Sequence, residues 1–303
     1  MKVYKFGGAS IKNAAAIRNM GSIVLAYGSR PLLIVVSAMG KTTRALEQVF
    51  DLLLQEGDSL EQINQVYTYH VEIVRELFDD VDPIHTTLAE YIDRLKQIQL
   101  NQDQPKQTYD EIVSYGELMS SSIIAAYLET LDIPSYLAYS PDLIRTSNDF
   151  TNGRVDLDTS RQLITNSLDA PLQEKVVVAQ GYIGGTEDDH VVTLGKEGSD
   201  YSAAIYAACL QAESVTIWKD VVGVLNGDPK KVDGTKQIFE LPYKEASEMT
   251  FYGASVIHPK TIKPLANEQI PLIVRSFDDP EAAPTIKGDF DHVRILPSVI
   301  HRS

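Results

Sequence analysis

The sequence predicts an α/β fold built on a mostly parallel sheet, and three observations carry that expectation. Leu32-Leu33-Ile34-Val35-Val36 and Val176-Val177-Val178-Ala179 are unbroken apolar runs, the pattern of strands covered on both faces. Each run empties into small residues, Ser37-Ala38-Met39-Gly40 in one case and Gln180-Gly181-Tyr182-Ile183-Gly184-Gly185 in the other. Strand-like runs then alternate with helix-like ones almost to the end of the chain. At 303 residues, with 44% hydrophobic and 23% charged, the chain can bury a large core.

Taken in order, residues 3–6 form a short apolar strand that carries Lys5 and meets Gly7-Gly8-Ala9-Ser10. Ala16, Met20, Ile23 and Leu25 mark a helix over 11–27, stopped before Pro31. Residues 45–99 are helical: Val66, Ile73, Val74 and Leu77 form one stripe, and Leu88, Tyr91, Ile92, Leu95 and Ile98 another. Pro83 divides them, so a charged helical hairpin is expected there. Residues 109–128 read as a helix whose small-residue part starts at Leu118, which puts Glu117 in or near a first turn. A strand over 135–139, a helix over 160–168 opened by Asp158 and Thr159, and the 176–179 strand follow. Residues 186–190 read as a hairpin tip, 191–194 as the returning strand, and 201–210 as a helix with Ser199 as N-cap. Beyond Val215-Thr216-Ile217-Trp218 come a helix over 242–252 closed by Gly253, a segment at 256–258, a helix over 259–266 and a strand over 272–274.

The chemistry concentrates where strands end. A lysine arriving on a strand and followed at once by paired glycines suits an anion. Backbone N–H groups of Gly7 and Gly8 can turn toward one phosphate, and Lys5 supplies charge. A second small-residue loop follows the next strand within forty residues, and ligands collect at the carboxyl ends of such strands. Gly195-Lys196-Glu197-Gly198-Ser199-Asp200 adds a mixed-charge loop of the kind that phosphoryl chemistry and amino-acid binding both need. A net charge of −15 argues against a nucleic-acid surface, so cations near these glycines serve small anions. The six histidines lack metal-ligand spacing, and neither a Gly-x-Ser-x-Gly elbow nor a Walker loop occurs. The single Cys209 excludes internal disulfides and reads as a buried, reduced thiol. No secretory h-region or apolar run near the ~20 residues of a membrane span is present, so a cytoplasmic protein is expected.

Seven ordered segments together resemble the aspartate kinase branch of the amino-acid kinase family, and the likeness covers nearly the whole chain. They are Lys5-Phe6-Gly7-Gly8-Ala9-Ser10, Ser37-Ala38-Met39-Gly40, Ser114-Tyr115-Gly116-Glu117-Leu118-Met119-Ser120 and Gly195-Lys196-Glu197-Gly198-Ser199-Asp200. Trp218-Lys219-Asp220-Val221, Asp228-Pro229 and Gly253-Ala254-Ser255-Val256-Ile257-His258-Pro259 complete the set. The resemblance implies a three-layer αβα sandwich with a mostly parallel central sheet and a helical hairpin insertion. It implies one kinase domain over 1–303, with an amino-acid-binding lobe over about 1–175 and a nucleotide-binding lobe over about 176–303. The implied reaction moves the γ-phosphate of ATP onto the side-chain carboxylate of L-aspartate, the first step toward lysine, threonine and methionine. A carboxylate with a pKa of about 4 is already ionised at neutral pH, so such a site needs cations and N–H donors rather than a base.

On that likeness Lys5 and Asp200 are catalytic, Lys5 at the transferring phosphoryl group and Asp200 organising the charges. Gly7, Gly8, Ser10 and Ser37 are phosphate-binding. Thr43, Glu117, Lys196 and Ser199 are substrate-binding, with Glu117 as partner of the ammonium. Lys219, Asp220, Lys230 and Ser255 fall on nucleotide-contacting positions. Mg²⁺ would accompany ATP without a dedicated protein ligand, and a homodimer is expected. The chain departs from the family pattern at Ala9, commonly threonine, and at Lys196-Glu197, commonly Arg-Gly. It also departs at Lys219, Leu225 and Ser255, commonly threonine, tyrosine and lysine. Lysine at 196 cannot reproduce a bidentate clamp on an α-carboxylate, so altered aspartate binding is expected. Only about 17 residues follow Ile286, too few for the regulatory ACT modules of the family. The alternatives are a kinase for glutamate or acetylglutamate, and a catalytically silent ATP- or amino-acid-binding subunit.

Overall fold

Apolar strands arrange themselves around the first one. In the computed structural model, which describes residues 1–221, 223–226, 234–251 and 257–288, β1 (Lys2–Phe6) lies near the middle of an eight-stranded sheet. Along the first half of the chain follow α1 (Ala14–Tyr27), β2 (Leu32–Val36), α2 (Thr42–Leu54), α3 (Leu60–Leu77), α4 (Ile84–Gln97), α5 (Pro105–Thr130), β3 (Ser135–Ala138), α6 (Ser140–Leu143) and α7 (Leu157–Glu174). Then come β4 (Val176–Gln180), β5 (Ile183–Gly185), β6 (Val191–Thr193), α8 (Gly198–Leu210), β7 (Ser214–Lys219), β8 (Val224–Leu225), β9 (Gln237–Ile238), β10 (Glu240–Pro242), α9 (Tyr243–Phe251), α10 (Pro259–Asn267), β11 (Leu272–Ser276) and β12 (Thr285–Gly288).

The sheet runs β10-β12-β11-β7-β1-β2-β4-β3, parallel except between β11 and β12. β1 sits between β2 and β7, so the chain builds outward on one side and later returns to build on the other. That reversal is a topological switch point, where ligands bind in α/β sheets. β4, the first strand after residue 175, lies between β2 and β3, and one sheet runs through both halves of the chain.

Side-chain alternation on the strands divides the core into two layers. Tyr4, Phe6, Ile34, Val36 and Val178 pack with α1 through α5, whereas Val3, Val35, Ala179, Ile217 and Val274 pack with α7, α8 and α10. Helices therefore cover both faces, giving three layers. β5 pairs with β6 in a separate hairpin, as the 186–190 turn predicts. The expected helical hairpin is α3 against α4, and α2 stands as a third helix before it. Cys209 is buried and free, and among the described residues no helix is long and apolar enough to cross a membrane.

Three local expectations change. α5 begins at Pro105, a residue suited to a first turn, so Glu117 lies mid-helix rather than near its start. α8 begins at Gly198 with Glu197 as cap in the left-handed region, so Ser199 is inside the first turn and does not cap it. α7 is capped by Asp156, whose carboxylate accepts from the N–H groups of Asp158 and Thr159 at 3.1 Å, and therefore starts before residue 160. Gly253 and Val256 lie outside the described residues.

Candidate active site

Strand alternation aims Lys5. Val3 and Lys5 project toward the α8 layer, and Tyr4 and Phe6 toward the other, where Phe6 stacks on Trp218 with centroids 6.1 Å apart. Lys5 sits in register with Val35 and Ile217 near the carboxyl end of β1. The first turn of α8 presents Asp200 there. Lys5 Nζ is 2.6 Å from Asp200 Oδ1, and Lys219 Nζ, at the end of β7, is 3.4 Å from Oδ2. Both Lys5 and Asp200 are buried. Burial pushes the Asp200 carboxyl up, but Lys5 and Lys219 more than offset that and hold it below the usual carboxylate range. Two ammonium groups around one carboxylate leave an excess positive charge at the switch point.

The loops after β1 and β2 lie against each other. Gly40 donates its N–H to Gly8 O at 3.0 Å, and a Cβ on Gly8 would meet Ala38 O at 2.5 Å, so only glycine permits this approach. Ser10 is buried, with its hydroxyl donating to Trp218 O at 3.3 Å. Gly7, Gly8 and Ser10 thus build the floor of the site and are not among the residues lining its cleft, whereas Ser37 is.

α5 supplies the opposite wall. A Cβ on Gly116 would lie 2.8 Å from Ala38 Cβ, so the helix packs directly on the second loop and brings Glu117 under it. Glu117 Oε1 accepts from the Ala38 N–H at 3.1 Å, while Oε2 is buried with no partner. Burial pushes this carboxyl up to about 8, a rise moderated by the Ala38 and Glu117 N–H groups and by Lys5. Ser120 fastens the same loop by donating to Ser37 O at 2.7 Å.

Between these walls lies a cleft of about 610 Å³. It gathers Lys5, Ser37, Thr43, Glu117, Lys196, Ser199, Asp200 and Lys219, eight of the residues expected from the sequence. Asp220 is exposed and does not line it, and Lys230 and Ser255 lie outside the described residues. Lys196 is exposed on the rim, and Glu197, left-handed with φ 54°, has a buried Oε2 without a partner.

Sequence reasoning did not single out Tyr109, Thr151 and Tyr182, which also line the cleft. Thr151 and Tyr182 lie in irregular segments, where no periodicity marks a side chain as inward-facing, and Tyr109 stands on the first turns of α5, ahead of its small-residue stretch. Two buried charges escaped as well. Asp110 on α5 is fully buried, and burial raises its carboxyl to about 6 despite hydrogen bonds from Thr151 and Thr193. Lys287 on β12 is buried, and burial, helped by the like charge of Lys219, lowers its ammonium to about 7 against the pull of Asp200 and Glu197. A lysine between Ile286 and Gly288 is the signal that could have found it.

A sequence profile of the amino acid kinase family matches residues 1–276. The chain belongs to this family. Among amino acid kinases, it is 32% identical over 292 residues to Aspartokinase 1, chloroplastic, of Arabidopsis thaliana, covering 94% of this chain and 51% of that protein. It is 33% identical over 287 residues to Lysine-sensitive aspartokinase 3 of Escherichia coli K12, covering 94% and 63%. The crystal structure of E. coli aspartokinase III in complex with aspartate and ADP (R-state) superposes with a TM-score of 0.87 at 30% identity, over 96% of this chain and 65% of that one. The chain therefore spans about half to two thirds of the length of these relatives, and its three layers are those of the amino acid kinase fold.

Proposed function

We propose that this domain transfers the γ-phosphoryl group of ATP to the side-chain carboxylate of L-aspartate, forming 4-phospho-L-aspartate. One observation carries the reading: a buried carboxylate oxygen with no partner, Glu117 Oε2, shares a single cleft with the Lys5–Asp200–Lys219 charge cluster. The first is a seat for an ammonium and the second a seat for phosphate. The similarity to aspartokinases supports the same assignment.

The acceptor carboxylate is ionised at neutral pH, so the barrier lies in bringing two anions together and aligning them. Lys5, anchored by Asp200, neutralises charge on the transferring group, and Lys219 meets the nucleotide phosphates, with donors from the loops at Gly7, Gly8 and Ser37. Thr43, Lys196 and Ser199 hold the amino acid while Glu117 receives its ammonium. The donor set fits a Mg²⁺ carried in on the nucleotide. No cluster of three His, Cys, Asp or Glu is present among the described residues, and Glu197, with its leftover buried oxygen, would hold the ion together with the phosphates. That ion, when bound, screens the phosphate charge. Homodimeric assembly and a cytoplasmic site of action belong to the same reading, and sedimentation of the purified protein tests the former.

Acetylglutamate fits this cleft poorly, because an acylated nitrogen brings no charge to Glu117. Glutamate remains the relevant competitor, since Lys196 and Glu197 stand on the rim. Hydroxylamine trapping of the acyl phosphate, run with aspartate and glutamate in parallel and with ADP release followed, is the test. Aspartate-dependent hydroxamate is expected. ATP binding with no acceptor-dependent ADP would refute catalysis in favour of a silent binding subunit.

A further inference from the structure

α5 carries two buried carboxylates seven residues apart, hence on one face: Glu117 and Asp110. Glu117 faces the cleft. Asp110 has no exposed surface and no cation within ion-pair distance among the described residues. Its oxygens are instead taken by donors from two other segments, Thr151 N–H on Oδ2 at 2.7 Å and Thr193 Oγ1 on Oδ1 at 2.7 Å. A buried, uncompensated carboxylate is expensive to keep, and packing alone does not require one.

What it holds is the other wall of the cleft. Thr151 lines the cleft with φ 72°, a left-handed conformation costly for a β-branched residue and kept only where surrounding bonds over-determine it. Tyr182 is tied alongside β6 by the Leu194 N–H, which donates to Tyr182 O at 2.8 Å, its hydroxyl lies near Thr193 and Tyr109, and the Tyr109 hydroxyl donates to Glu47 on α2 at 2.9 Å. Thr151, Tyr182 and Tyr109 therefore form one linked surface that ends on Asp110.

We propose that Asp110 is a positioning residue for the amino-acid end of the cleft, holding Thr151 and the Tyr182–Tyr109 surface at a set distance from Glu117. This rests on the reading of that end as the aspartate seat. The residue touches no substrate. It acts through the Thr151 backbone and the Thr193 hydroxyl, and the nucleotide end, built on β1, β7 and the start of α8, does not depend on it.

Asp110→Asn and Thr193→Val, made in the full chain, test the assignment. Asparagine keeps one acceptor and turns an NH₂ toward a donor, and valine removes one donor while keeping shape. Each is expected to raise KM for aspartate about tenfold while leaving KM for ATP within about twofold. Amide hydrogen exchange over residues 147–153 in the ligand-free protein should accelerate in Asp110→Asn. That readout involves no substrate, so it stands even if the protein proves not to phosphorylate aspartate. Unchanged aspartate KM with unchanged exchange overturns the proposal. So does an equal rise in both KM values, which would mark general loosening. If Asp110→Asn fails to fold, Thr193→Val decides alone, by the same aspartate-to-ATP split.

Discussion

Replacing Glu117 by glutamine removes the charge that should seat the substrate ammonium while preserving shape. Glutamine Oε1 can still accept from Ala38 N–H, which Glu117 does at 3.1 Å, so the second loop stays in place and the amide NH₂ falls where Oε2 was. A carboxylate and an ammonium at contact attract by about 4 kcal/mol at the effective dielectric of protein sites. The wild-type carboxyl, pushed up to about 8 by burial, must first lose its proton, which at pH 7 costs about 1.4 kcal/mol. The net difference, ~2.6 kcal/mol, is a loss of about 80-fold in aspartate affinity at pH 7. Above pH 8 the deprotonation cost vanishes, and the gap should approach 10³-fold. Wild-type binding should release about 0.9 proton at pH 7, while the variant releases none. Calorimetric titration in two buffers of different ionisation enthalpy reads both quantities. Because the folded pKa lies above the unfolded value of 4.5, the stability this group contributes is complete below 4.5 and lost as pH rises through 8. The ligand-free wild type should therefore lose stability across that window more than Glu117→Gln does. Aspartate binding by Glu117→Gln within about threefold of wild type at pH 8.5 would sink the assignment of Glu117 as the ammonium seat.

If Lys5 acts as proposed, on charge that develops at the phosphoryl group, Lys5→Met should cut kcat by roughly 10²–10³ while aspartate KM changes little. Steady-state kinetics with both substrates varied checks this, and equal losses in both would contradict the role. Lys196→Arg should tighten aspartate about threefold or more by offering a planar two-pronged donor at the rim, and an unchanged Kd would place this side chain away from the α-carboxylate. Lys287→Met should stabilise the ligand-free protein at pH 7 by on the order of 3 kcal/mol, since it removes an ammonium that is buried without an ion-pair partner among the described residues. The folded pKa, lowered to about 7 from 10.5, makes the wild type gain stability as pH rises between those values, so the advantage of methionine should shrink toward pH 10. Denaturant melts at pH 7 and 9.5 measure it, and a less stable variant at pH 7 would refute the argument.

The parts of the site legible in the sequence are those fixed by short-range rules. A lysine before two glycines on an apolar run could only end a strand, and Asp200 five residues after Gly195 could only open a helix, so their meeting follows from α8 packing on the face of the sheet toward which Lys5 points. Glu117 was legible as a residue but not as an environment. Its helix starts at Pro105, twelve residues earlier than Glu117, and its burial comes from Gly116 letting α5 descend onto Ala38, a contact between segments 78 residues apart. Asp110, Thr151 and Tyr182 illustrate what pattern cannot carry. Asp110 looks like any charged residue near a helix start, and Thr151 like any loop threonine, until β6 and the 147–153 segment close over them. Lys287 is hidden for the opposite reason: a single cation in a strand reads as the solvent face, and only the pairing of β12 between β10 and β11 turns it inward opposite Leu241 and Leu272. Strand ends and helix starts are local, and so are the anion-handling groups that sit on them. The wall proposed to recognise the amino acid is assembled from separate segments of the chain, so any selectivity it has would reside in contacts between parts that no spacing rule connects.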